Sequence, residues 1–360
     1  MSTASPEANG PSIRERAVDS TLRIESQAFY LAAMLGAVGA VVGFVITQLN
    51  GHLRLAGPDS FGLAAACCAL AVAALVGATG YWRSSNRPGQ EWRKEVPQRT
   101  VAINTVSVVV VHAALAFLAT YATFLVLSQA LIGLRVNTLF GMVMMAAAFG
   151  LTTYVVFPSV AHMTTQRMAT LLLAFMVVGA LTSAVTTEHP LWWKEHFSQL
   201  GSYNDLSSWI FNATLIGGGL LVTTFAVYIS NDMKALVNAG ALADHASPHW
   251  VARMFVIMGV MLACVGLAPV DDRFWIHTIA ASGMAVVFLI LLIRGKRLLA
   301  GMPAAYFHAS WAFIVALLAG LVLWLVKAVG LTAFEIIAFG LIFAWILVFI
   351  RFLGLAGEES

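Results

Sequence analysis

Glu188, His189, Glu195, His196, Asp205, Asp271, Asp272 and His277 form the densest group of titratable side chains in this sequence. They fall in two short polar stretches and at the starts of the apolar runs that follow them. Neutral imidazoles and carboxylates are donors that suit Zn²⁺, and the same pairs serve as general acid and base. His196, Asp272 and His277 are therefore the trio that would hold a metal or move a proton, with the Ser198 hydroxyl nearby. If their segment is helical, the spacing of His189 and His196 puts them on one face. Asp205, Ser208 and Asn212 follow at helical spacing and would line a polar stripe running down from the surface. Glu335, at the head of the last apolar run, joins this candidate binding group. Each member also has a plain structural reading. Asp205 or Ser207 caps a helix, Trp192, Trp193, Trp209 and Trp275 form an interfacial belt, and Asn212 hydrogen-bonds a neighbouring helix. Neither an HExxH nor a GxSxG signature is present, so the balance falls against an enzyme.

The elements that must position these residues follow from composition. Of 360 residues, 60% are hydrophobic and 10% charged, and the mean hydropathy is +0.86. A soluble domain carries about a quarter charged residues, which excludes a cytosolic enzyme, a disordered chain and a nucleic-acid-binding domain. A membrane-crossing helix needs roughly 20 mostly apolar residues. About ten runs qualify: 27–49, 61–82, 102–128, 136–157, 168–187, 207–230, 251–268, 274–293, 305–326 and 331–350. The expected fold is an all-α, polytopic transmembrane bundle. A polar tail covers 1–26, a four-span region 27–167, a six-span region 168–352 and a short tail 353–360. Of the 20 Lys and Arg residues, only Arg54, Arg135, Lys194, Arg273 and Lys327 fall on one side of this alternation. The positive-inside rule then places both termini in the cytoplasm of a plasma (inner) membrane protein.

Charge inside the bilayer is costly, and the apolar runs carry almost none. Lys327 and Glu335 sit near the outer ends of the last two runs, where they are expected to pair with each other. His112, near mid-membrane, reads as a neutral hydrogen-bonded core residue. Gly36, Gly39 and Gly43 have the small-residue spacing for close helix contact, within the chain or in a homo-oligomer. Gly217, Gly218 and Gly219 either loosen the sixth helix or pack it tightly. The stretch with Arg83, Arg87, Trp92, Arg93, Lys94 and Arg99 is an ordinary inner loop or lies along anionic headgroups. No disulfide framework and no cofactor is expected.

The string PLWWKEHFSQLGSYNDLSSWIFNATLIGGGL, with its Ser198-Gln199-Leu200-Gly201 turn, Ser208 and Phe211-Asn212, is more specific. With Asp272-Arg273-Phe274-Trp275-Ile276-His277 after it, the segment from about 168 to 352 resembles the bacterial domain-of-unknown-function 998 family. That family comprises six-helix membrane proteins related to damage-regulated autophagy modulators and to GPI-remodelling proteins. The resemblance implies a membrane protein whose relatives are tied to lipid handling, with a polar site at the outer face. The leading expectation is binding of membrane lipid or a membrane partner through His196, Ser198, Asp205, Ser208, Asn212, Asp272, His277 and Glu335. The alternatives are a membrane hydrolase or lipid-modifying enzyme using the outer His and Asp residues, and a transporter of a neutral or amphipathic solute.

Overall fold

The computed structural model describes residues 13–86 and 90–358. Arg87 of the basic loop and the first twelve residues of the polar tail lie outside them. Among the described residues ten α-helices follow one another: α1 (Ile13–Asn50), α2 (Phe61–Ser84), α3 (Gln98–Ala130), α4 (Thr138–Ala161), α5 (Thr165–Thr186), α6 (Leu206–Asn238), α7 (Ser247–Leu267), α8 (Phe274–Leu298), α9 (Ala304–Leu325) and α10 (Leu331–Glu358). All ten are long and apolar enough to cross a membrane, so the chain is an all-α polytopic bundle. Backbone groups in hydrocarbon must be paired, and a helix pairs them all within its own segment.

Several helices outrun their apolar cores. α1 begins at Ile13, inside the stretch read as a polar tail, and α10 continues to Glu358, through most of the short C-terminal tail. Hydropathy detects the length of a helix that lies in hydrocarbon, whereas backbone hydrogen bonding carries it onward into the polar zone.

α1 packs on α4, and α2 packs on both α3 and α4. α5, α6 and α7 are neighbours in sequence and in space, with α8, α9 and α10 completing a second group. α3 touches α5 and α6 and joins the two groups. α6 is the most buried helix, presenting Phe211, Leu215, Leu221, Phe225 and Ile229 to its neighbours.

The connections gather at two ends. At one, the two-residue strands β1 (Leu53–Arg54) and β2 (Arg135–Val136) pair antiparallel, Leu53 opposite Val136, and tie the α1–α2 and α3–α4 links together. The candidate outer residues lie at this end, called the outer end below. At the other, Gln90 Nε2 donates to Met163 O at 3.1 Å and Ala243 N to Ala300 O at 3.0 Å.

The Gly36, Gly39 and Gly43 face of α1 is filled by α4 of the same chain. A Cβ at Gly39 would stand 2.6 Å from Met145 O, and one at Gly43 would collide with the Gly141 carbonyl. This stripe is therefore an internal helix contact and is not free for a homo-oligomer. The Gly217–Gly219 run also packs tightly. α6 continues through it, and the three glycines abut Phe175, Met176 and the backbone of Gly259 in turn. His112 is buried, with Nδ1 2.7 Å from Val108 O and Nε2 2.9 Å from Ser159 Oγ. It is a satisfied core histidine between α3 and α4.

Candidate functional site

The link between α5 and α6 folds into an outer cap. It contains two short 3₁₀ turns, Trp192–Lys194 and Phe197–Gly201. It is therefore not one helix, and His189 and His196 do not share a helical face as the spacing suggested. His189 lies against Tyr203 instead, ring centroids 3.8 Å apart. His196 is extended, at φ −153°, and leads into the second turn.

Phe197 anchors the cap. Its ring meets Phe211 of α6 edge-on at 5.1 Å and Phe339 of α10 at 6.1 Å. The Phe197 N–H donates to Glu335 Oε2, and the Ser198 N–H also reaches this carboxylate. Glu335 thus receives the unpaired N–H groups that open a 3₁₀ turn, the role a carboxylate plays at any helical N-terminus. The expected Lys327–Glu335 pair is not what forms, because the cap's backbone is the partner of Glu335.

The other predicted residues fix the same structure. Asp205 is the N-cap of α6, its Oδ1 accepting from Ser208 N at 2.8 Å and from Ser208 Oγ at 2.9 Å. Asn212 Nδ2 donates to Gly201 O at 2.9 Å, which ties the end of the second turn to α6. Buried Ser183 and Ser207 join α5 to the α6 start through hydroxyls 3.1 Å apart. His277, buried at the head of α8, has Nδ1 2.8 Å from Ala268 O and so holds the end of α7.

Two expectations need correction. Asp272 is exposed, and its neighbour Asp271 is the residue that engages the cap, accepting from Gln199 Nε2 at 3.1 Å. In addition, no three His, Cys, Asp or Glu residues among those described converge as metal donors. His196 lies within electrostatic reach of His277, but Asp272 does not complete the trio. His196, Asp272 and His277 therefore do not come together as one set of donors.

What the cap leaves open is acidic and aromatic. Burial, then the carboxylates of Glu195, Asp271 and Asp205, push the Tyr203 phenol above its ordinary range. Three carboxylates therefore lie within electrostatic reach of one tyrosine. Asp205 Oδ2 and Ser202 Oγ are buried with no hydrogen-bond partner. Trp193, Trp209 and Trp275 project outward at the rim, the last two about three-quarters exposed.

Sequence reading missed a second polar group, at the opposite end. Asp232 in the last turns of α6 accepts from the Thr165 hydroxyl of α5. Nearby, Tyr81 of α2 and Tyr228 of α6 share a hydrogen bond of 2.9 Å between hydroxyls. The signal was present, since Asp232 follows the sixth apolar run by two residues, but the run was ended before it.

Ten apolar helices and a folded polar cap define a multi-pass helical membrane protein. Residues 168–351 match the model of the family described as protein of unknown function DUF998, and the chain belongs to that family. The match spans α5 to α10, the group that carries the cap. No curated protein and no solved structure matches the chain.

Proposed function

We propose that this protein binds a membrane lipid at its outer cap and performs no chemistry on it. The observation that carries the reading is the pair of unpartnered acceptors, Asp205 Oδ2 and Ser202 Oγ. Ser202 precedes Tyr203 in the chain, and the carboxylates of Glu195, Asp271 and Asp205 lie within electrostatic reach of its phenol. Buried polar atoms ordinarily find partners, so a donor-bearing headgroup, such as the ammonium of an ethanolamine lipid, suits them. The exposed Trp193, Trp209 and Trp275 support a site at headgroup depth, where tryptophan side chains favour the interface. The balance of Lys and Arg supports an orientation with the cap outside and both termini inside.

The test is lipid retention by the full chain in phosphatidylcholine nanodiscs doped with phosphatidylethanolamine, read by native mass spectrometry. Asp205→Asn keeps a good capping residue while removing the charge, and Glu195→Gln alters the exposed rim. Each should lower ethanolamine-lipid retention several-fold. Equal retention by wild type and both variants would sink the proposal.

A further inference from the structure

The inner loop between α2 and α3 holds a cation that the outer site does not involve. The 3₁₀ turn Glu91–Lys94 turns Trp92 and Arg93 inward and leaves Lys94 and Glu95 exposed. The loop therefore does not simply lie along headgroups. Trp92 meets the Tyr228 ring edge-on at 5.0 Å. Arg93 is only 6% exposed. Its Nη1 donates to Ser84 Oγ at 2.6 Å, its Nη2 reaches Tyr81 O at 3.4 Å, and its Cζ lies 3.9 Å from the Tyr81 ring centroid.

Every one of these partners is neutral. Among the described residues no carboxylate pairs with Arg93. Asp232, one turn beyond Tyr228, is engaged by Thr165 of α5, and Glu91 and Glu95 face outward. A buried guanidinium with a hydroxyl, a carbonyl and a ring face is hydrogen-bonded but not neutralised. Buried charges are ordinarily paired. Arg93 also keeps donors in hand, since a guanidinium has five N–H groups in a planar fork. Beside it is a narrow cleft lined by Tyr81, Trp92, Arg93, Val96, Val101 and Asn104, too tight to admit a water molecule, so that an anion would meet Arg93 at its mouth. Asn104 is itself buried, and Lys94 and Arg99 are exposed in the same segment.

We infer that Arg93 anchors an anion site at the inner end of α2 and α3 whose ligand is a phosphate group. The fork of Arg93 suits phosphate oxygens, Asn104 offers an amide from α3, and Lys94 and Arg99 add attraction at the rim. An anionic lipid of the same leaflet and free phosphate share this chemistry. The basic segment lies where anionic headgroups concentrate.

The test uses the full chain in phosphatidylcholine nanodiscs, titrated separately with phosphatidic acid and with inorganic phosphate. Phosphatidic acid should bind wild type. Arg93→Met should lose on the order of tenfold or more in affinity, the loss expected when one charged hydrogen bond is removed. Arg93→Lys should fall between the two, and Lys94→Gln should change little. Displacement of the lipid by inorganic phosphate, or binding of inorganic phosphate alone, would identify the phosphate group itself as the ligand. Lipid binding that phosphate cannot displace would identify the headgroup in its membrane. Equal lipid binding by folded Arg93→Met, or no anion binding by wild type, overturns the inference. Should Arg93→Met fail to fold, a photoreactive phosphatidic acid on wild type decides. Adducts within residues 81–104 support the site, and adducts elsewhere overturn it.

Discussion

At the scale of single residues, Glu335 has the largest consequence for its cost. It places a carboxylate within an apolar helix in order to receive the Phe197 N–H, and so fastens α10 to the cap. Hydrogen bonds to a charged group contribute roughly 1.5–3 kcal/mol. Glu335→Ala should therefore lower stability by about that amount and speed amide exchange over residues 196–201, with Glu335→Gln intermediate. Unchanged exchange in Glu335→Ala would show that the ring contacts of Phe197 hold the cap alone. Tyr203 supplies a pH signature. Its phenol is raised by burial and by neighbouring carboxylates, so the folded cap favours the neutral form. That stability is complete below the ordinary tyrosine value of about 10 and is lost as pH rises through the raised one. The Tm curves of wild type and Tyr203→Phe should diverge only above about pH 10. At this scale the sequence revealed which residue types gather outside, but not their partners. Asp271 and Asp272 are adjacent and chemically identical, and only the fold decides which of them meets Gln199.

At the scale of elements, the ten helices were legible because a bilayer demands long apolar runs and tolerates few alternatives. Their pairings were not legible, because lipid is as apolar as another helix and hydropathy does not distinguish the two. Small residues carry the missing information only when both partners are known. Gly219 of α6 and Gly259 of α7 face each other so closely that a Cβ on Gly259 would lie 2.7 Å from Gly219 O. A side chain at either position must separate two backbones, which no rotamer change can relieve. Gly219→Val should therefore destabilise by at least the roughly 1–3 kcal/mol typical of overpacking. Gly295, whose added Cβ would meet nothing, should accept alanine with little change. Thermal unfolding in detergent checks both, and a neutral Gly219→Val would mean that α6 and α7 can slide apart at low cost.

At the scale of the whole molecule, the family segment and the four helices before it are physically coupled. Tyr81 and Tyr228 share a buried hydrogen bond across α2 and α6, so removing one hydroxyl strands the other. Tyr81→Phe and Tyr228→Phe should each cost about 1–3 kcal/mol, and the double variant less than their sum, because it leaves no orphan. Additive losses would show that the two hydroxyls do not depend on each other. The same joined architecture makes orientation a property of the entire chain. Ten helices return the chain to its starting side, and the uneven distribution of Lys and Arg favours the basic loops facing the cytoplasm. Lys94 in the loop beside Arg93 and Asp272 beside the cap are both exposed and lie at opposite ends. With Cys67, Cys68 and Cys264 replaced by alanine, a cysteine at Asp272 should react with an impermeant maleimide on intact cells. A cysteine at Lys94 should react only after the membrane is opened. The reverse pattern would turn the molecule over, placing the Arg93 cleft outside and the acidic cap inside. The phosphate-bearing lipid and the ethanolamine lipid would then have to come from the opposite leaflets.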